Sequence, residues 1–307
     1  MNTNRKSRAL SRSQTGAPLA TNRISMLAGI VLVAGIGLLT GCSSMQLLNA
    51  TVSHRGYTRT LDLAYGSDPR QKLDVSLPKK IAPDAKVVVF FYGGSWRGGS
   101  KTDYRFVAQA LTSRGFIVVL PDYRVYPAVT FPAFVEDGAA AVRWTRDNIS
   151  AYGGDTNQLY LMGHSAGSHI AALLTLDARY LKAVGLERNA IRATASLSGP
   201  LDFTPNPWDR PVFNQPTNAT TIDPQIEPIT FVDGQEPPML LVQGLQDKIV
   251  APSNAENLAA RIRSAGGEVE YITYPKRAHA SVVVALASPY QWLAPVLDDV
   301  TKFFNRH

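Results

Sequence analysis

The sequence predicts an α/β fold: a mostly parallel central sheet with antiparallel N-terminal strands and helices on both faces. Three observations carry this expectation. Residues 57–64 and 71–77 alternate apolar with polar, as half-buried antiparallel strands do. Five later runs, 86–91, 116–120, 158–162, 193–197 and 239–242, are short apolar bursts, the pattern of parallel strands covered on both sides. Helical periodicity fills 104–114, 134–151, 165–176, 254–265 and 289–304. Strands alternating with helices of this length make a parallel sheet wrapped by helices, and ligands on such sheets bind beyond the carboxyl ends of the strands.

Composition narrows the class. The 307 residues are 45% apolar and 18% charged with a single Cys, which excludes collagen-like, disordered and disulfide-stapled chains. Five cations (Arg5, Lys6, Arg8, Arg12, Arg23) and no acid lie in residues 1–41, so the net +7 divides into +5 there and +2 over the rest. The charge therefore gives no reason to expect a nucleic-acid partner. A cationic front followed by an apolar stretch over 24–39 has the form of a secretory signal, and it is short for a membrane span, which needs about 20 residues. It ends in Leu39-Thr40-Gly41-Cys42, which resembles the lipobox of bacterial lipoproteins. That resemblance implies cleavage after residue 41, lipidation of Cys42 and membrane attachment through the lipid. Ser43, where Asp would favour inner-membrane retention, implies the outer membrane, facing the periplasm. Residues 42–57 are expected to be a tether, and 58–307 the globular domain.

The chemistry concentrates where an apolar burst ends. Residues 158–162 run into Gly163-His164-Ser165-Ala166-Gly167 and then a helical pattern. A tight strand-to-helix turn exposes the Ser165 hydroxyl above the sheet, and the flanking glycines remove Cβ atoms that would collide there. A serine needs a base to take its proton and a carboxylate to orient that base. Of the five histidines, His164 and His169 lie on the serine's own turn and helix, and His307 is terminal. Sites of this kind run nucleophile, acid, histidine along the chain, so His54 lies too early and His279, in a loop after the strand-like 269–274, remains. Two carboxylates fit the orienting role: Asp247, after the 239–242 burst, and Asp202, after the preceding one. The glycine-rich Tyr92-Gly93-Gly94-Ser95-Trp96 follows the 86–91 burst, and its backbone N–H groups at Gly94 and Ser95, with that of Ala166, suit an oxyanion. The loop lacks the glycine spacing of phosphate-binding motifs.

Together, YGGSW (92–96), PDYR (121–124), YGGD with LYLMGHSAGSHIA (152–172), SGPLDF (198–203) and GLQDKIV (244–250) resemble one family over about 61–304. It is the esterase group of the α/β-hydrolase fold, which includes hormone-sensitive-lipase-like carboxylesterases and feruloyl-esterase-like and kynurenine-formamidase-like branches. Tyr92 departs from the histidine usual at that place. The resemblance implies a Ser165–Asp247–His279 triad, no metal, no organic cofactor, and a small-molecule ester of short-chain or aryl type as substrate. An arylformamidase-like amide hydrolase or peptidase of the same fold is the alternative. Residues 200–238 hold nine prolines and are expected to form a stiff covering loop. Trp96, Tyr126, Trp208 and Phe213 are candidates to line a substrate pocket.

Overall fold

The computed structural model describes residues 41–53, 55–219 and 221–307; the expected leader, 1–41, lies outside them but for its last residue, Gly41. Residues Met45–His307 form one compact unit, and the sheet belongs to it. No described helix is long and apolar enough to cross a membrane.

Eight strands form one sheet: β1 (Tyr57–Ala64), β2 (Lys72–Pro78), β3 (Ala85–Phe91), β4 (Ile117–Pro121), β5 (Gly154–His164), β6 (Ala193–Leu197), β7 (Met239–Gly244) and β8 (Val269–Tyr274), ordered β1-β2-β4-β3-β5-β6-β7-β8. The pairs β1–β2 and β2–β4 are antiparallel and the rest parallel. This is the α/β-hydrolase arrangement that the motifs imply. The apolar bursts fall where expected because β3, β4, β6 and β7 are buried along nearly their whole length. Each fully buried Val, Leu, Ile or Phe contributes on the order of 2 kcal/mol, so this stack dominates the fold's stability. Alternation misjudged β2. That strand lies inside the sheet between β1 and β4, and its polar Asp74 is buried too, paired at 2.7 Å with the buried Lys101.

Helices α2 (Arg105–Thr112), α3 (Ala133–Asn148), α4 (Ala166–Leu176), α6 (Ser253–Ser264) and α8 (Val296–Arg306) cover the sheet, with short α5 (Ala178–Ala183) and α7 (His279–Val284) between them. The expected 289–304 helix is split: a 3₁₀ stretch, Ser288–Leu293, precedes α8, because Pro295 cannot donate into a continuous helix.

The expectation of a tether at 42–57 is corrected. Residues Gly41–Ala50 form a helix, α1, and from Met45 the chain is part of the folded unit. Leu48 and Val52 enter the core. The buried Asn49 amide donates to the carbonyls of Thr102 and Asp103, both at 2.8 Å, and its oxygen accepts the Phe106 N–H at the start of α2. A polar residue buried with all its partners inside the domain marks docking, which hydrophobic periodicity does not report.

The chain leaves β3 toward β4 on one side and β5 toward β6 on the other. The adjacent ends of β3 and β5 are thus the point where the strand order reverses, and a crevice opens there. Ser165 follows β5 at that point.

Candidate active site

Between the end of β5 at His164 and the start of α4 at Ala166 the chain turns on one residue, Ser165, with φ 55° and ψ −124°. This conformation costs a non-glycine residue on the order of 1–3 kcal/mol. It persists because Ser165 donates its N–H to Leu197 at 3.0 Å while α4 is pressed against the strand ends. A Cβ at Gly163 would lie 2.3 Å from the Gly167 carbonyl oxygen, and one at Gly167 would lie 2.1 Å from that of Phe91. The glycines of the motif are therefore a packing requirement. The Ser165 carbonyl accepts the N–H groups of Ser168 and His169 as α4 begins, so the Ala166 N–H belongs to the first turn and has no partner within the helix.

His279 and Asp247 converge on this serine. His279 Nε2 lies 2.8 Å from Ser165 Oγ, and His279 Nδ1 lies 2.8 Å from Asp247 Oδ2. His279 is the first residue of α7 rather than a loop residue, and it is 8% exposed. Burial pushes the Asp247 carboxyl up, but the hydrogen bond and charge of His279, with the N–H groups of Val250 and Ile249, hold it below its ordinary value. Its Oδ1 accepts both of those N–H groups at 2.9 Å, and Oδ2 also accepts Gln243 Nε2 at 3.0 Å. An ionised Asp247 accepts a hydrogen bond from Nδ1–H of His279, which keeps the proton on Nδ1 and leaves Nε2 as the acceptor of the Ser165 hydroxyl. Asp202 stands elsewhere. Its carboxylate accepts from Asn257 at 2.6 Å and does not reach the imidazole.

The loop after β3 supplies the facing backbone. Gly94, Ser95 and Trp96 have φ of 149°, 52° and 55°, and the Gly94 carbonyl accepts the N–H groups of Arg97 and Gly98. Ser95, Ala166 and Ser165 border the same cavity, of about 530 Å³. Tyr92 holds this loop from beneath. Its ring stacks on Tyr123 at 4.6 Å, and its hydroxyl accepts from Arg70, which also donates to the carbonyls of Gly99 and Tyr123.

Two of the four expected pocket aromatics border the cavity and two do not. Trp96, 4% exposed, and Trp208, 60% exposed, are on its wall. Phe213 lies behind Trp96, edge-on at 4.8 Å, and Tyr126 packs beneath the Arg97 guanidinium at 4.3 Å. The aromatic cluster fills its own interior, so only its outer members meet the cavity. Residues 200–238 carry three 3₁₀ turns, each with Pro in its first two positions, and Pro200, Asp202, Phe203, Thr204 and Asn206 contribute to the cavity wall.

Sequence reasoning set aside two histidines that support the site. His169 is buried with Nε2 2.8 Å from the Ile226 carbonyl, tying the covering segment to α4, and burial lowers its pKa to about 4. His164 lies under His279, with ring centroids 5.0 Å apart and Nε2 3.4 Å from the His279 carbonyl oxygen. Burial, then the His279 charge, lowers its pKa to about 3. Gln243 and Arg70 were missed as well; nothing in their sequence context distinguishes them from ordinary polar residues.

Residues 73–262 match the BD-FAE family. The chain belongs to that family. Among relatives of the BD-FAE chain is a probable isoprenylcysteine alpha-carbonyl methylesterase of Oryza sativa, 30% identical over 71% of this chain and 57% of the relative. Another is esterase LipC of Mycobacterium tuberculosis, 30% identical over 74% of this chain and 60% of the relative. The chain thus spans a little over half the length of these curated relatives. The fold is shared with a truncated carbohydrate esterase from gut microbiota, at a TM-score of 0.71 and 22% identity over 83% of this chain and 98% of that one.

Proposed function

We propose that this BD-FAE protein is a serine carboxylesterase acting on short-chain or aryl esters through an acyl-enzyme. The observation that carries the reading is the unbroken Asp247–His279–Ser165 chain, with both links at 2.8 Å. Ser165 Oγ attacks the ester carbonyl as His279 Nε2 takes its proton. The tetrahedral oxyanion receives the N–H groups of Ala166 and of Gly94 or Ser95. The intermediate collapses as His279 returns the proton to the leaving alcohol, and water repeats the sequence to release the acid. Asp247 stays ionised and steadies the imidazolium. A cavity of about 530 Å³ suits a short or single-ring acyl group. The test is hydrolysis of p-nitrophenyl acetate, butyrate and longer esters beside an N-formyl arylamine, with Ser165→Ala as control. Ester turnover that disappears with Ser165→Ala is expected; turnover of the amide alone, or fluorophosphonate labelling that survives the substitution, overturns the assignment.

We further propose that the protein is exported and held to the outer membrane by lipid on Cys42, the one Cys of the chain, which follows a cationic and then apolar leader. More than one acyl chain on that residue gives stable anchoring. Cys42→Ala should move the enzyme from the membrane to the soluble fraction and abolish palmitate labelling; an unlabelled wild-type protein defeats the idea.

A further inference from the structure

Two hollows flank the reacting pair. The cavity of about 530 Å³ is bordered by Ser165, Ala166 and Ser95 but not by His279. The second is bordered by Asp247, His279, Ala278 and Ala280 but not by Ser165. A histidine that takes the serine proton must next reach the leaving oxygen, so the alcohol departs on the His279 side and the acyl group occupies the other hollow.

We infer, resting on the esterase reading, that the Ser165 cavity is an acyl subsite that selects by charge, with Asp202 as its specificity-determining residue. Among the described residues that border it, the only ionisable ones are Asp202 and Asp209, and no cation does. The two carboxylates are not equivalent. Arg97, clamped between the rings of Tyr126 and Trp208 at 4.3 and 4.0 Å, lies close enough for its charge to draw Asp209 down against the larger, opposing effect of burial. Asp209 is also held by the Asn206 amide at 2.6 Å, within its own turn. Asp202 has amide partners instead: its carboxylate accepts Asn257 Nδ2, and its N–H donates to Asn254 Oδ1. Amides orient a carboxylate without neutralising it. The charge of Asp202 is felt by a third acid, Glu227, whose carboxyl is raised first by burial and then by Asp202. The field in the cavity is therefore negative, favouring an acyl chain that ends in a cation or in hydrogen-bond donors and opposing one that ends in a carboxylate.

The experiment compares three methyl esters of matched chain length on the full chain: that of trimethylammonium butyrate, that of its uncharged tert-butyl isostere, and monomethyl glutarate. At low ionic strength the cationic ester should exceed the anionic one in kcat/KM by roughly tenfold or more, and added salt should narrow the gap. Asp202→Asn should collapse most of that ratio, and Asp209→Asn should change it less. Equal rates across the series in the wild type, a ratio unmoved by Asp202→Asn, or an equal loss on all three esters overturns the assignment. Failure of the wild type to hydrolyse any ester is a separate result that strikes the esterase reading itself.

Discussion

Replacing Asp247 by Asn removes one charge and exchanges one acceptor oxygen for a donor, and the hydrogen bonds around it fix the consequence. All four partners of the carboxylate are donors: the N–H groups of Ile249 and Val250 on Oδ1, Gln243 Nε2 and His279 Nδ1 on Oδ2. An asparagine must turn its NH₂ toward one pair. Facing the backbone would leave two buried N–H groups without an acceptor, at about 1–3 kcal/mol each, so the NH₂ turns toward His279. His279 Nδ1 then becomes an acceptor, the proton moves to Nε2, and the nitrogen facing Ser165 can no longer take its hydroxyl proton. Turnover of p-nitrophenyl acetate should fall by about 10⁴ near neutral pH, the magnitude expected for a wrong imidazole tautomer in a serine triad. The contrast is Asp202→Asn, which leaves this network untouched. Initial rates with active-site titration give the comparison. A variant Asp247→Asn within tenfold of the wild type, with activity lost instead in Asp202→Asn, would refute the reasoning.

Three further outcomes follow from the geometry. Ser165→Gly should abolish ester hydrolysis yet raise stability by about 1 kcal/mol in urea unfolding, because glycine adopts φ 55° without the strain serine carries; an unchanged or lower midpoint contradicts the strain argument. Asn49→Ala removes three hydrogen bonds from a buried site and should cost about 1–3 kcal/mol, whereas a surface tether would tolerate it without a measurable change. His164 and His169, neutral in the folded protein with pKa values of about 3 and 4 against an ordinary 6.5, take up protons only on unfolding between those limits. Because the folded value of a base is depressed, stability is flat above pH 6.5 and declines as pH falls below it, by on the order of 5 kcal/mol for the pair near about pH 4.5. A urea midpoint independent of pH across that interval contradicts their burial as neutral groups.

The apolar bursts determined the parallel strands by themselves, since a segment covered on both faces has no polar position to spare, and Gly163-His164-Ser165-Ala166-Gly167 determined where the sharp turn falls. The same local information failed at Asp74 and Asn49, which read as polar surface and are buried: the partners that make burial tolerable, Lys101, Thr102, Asp103 and Phe106, come from distant parts of the chain. Asp247 and Asp202 follow adjacent strands and look alike as sequence. Only the assembled sheet brings the first of them to 2.8 Å from His279 and turns the second into the cavity wall. The roles of His164, His169 and Gln243 were hidden for the same reason, because a buried polar residue acquires its function from the groups that surround it. Periodicity and glycine placement are written along the chain, whereas a hydrogen bond across 114 positions, such as that of His279 to Ser165, exists only once packing has fixed both ends.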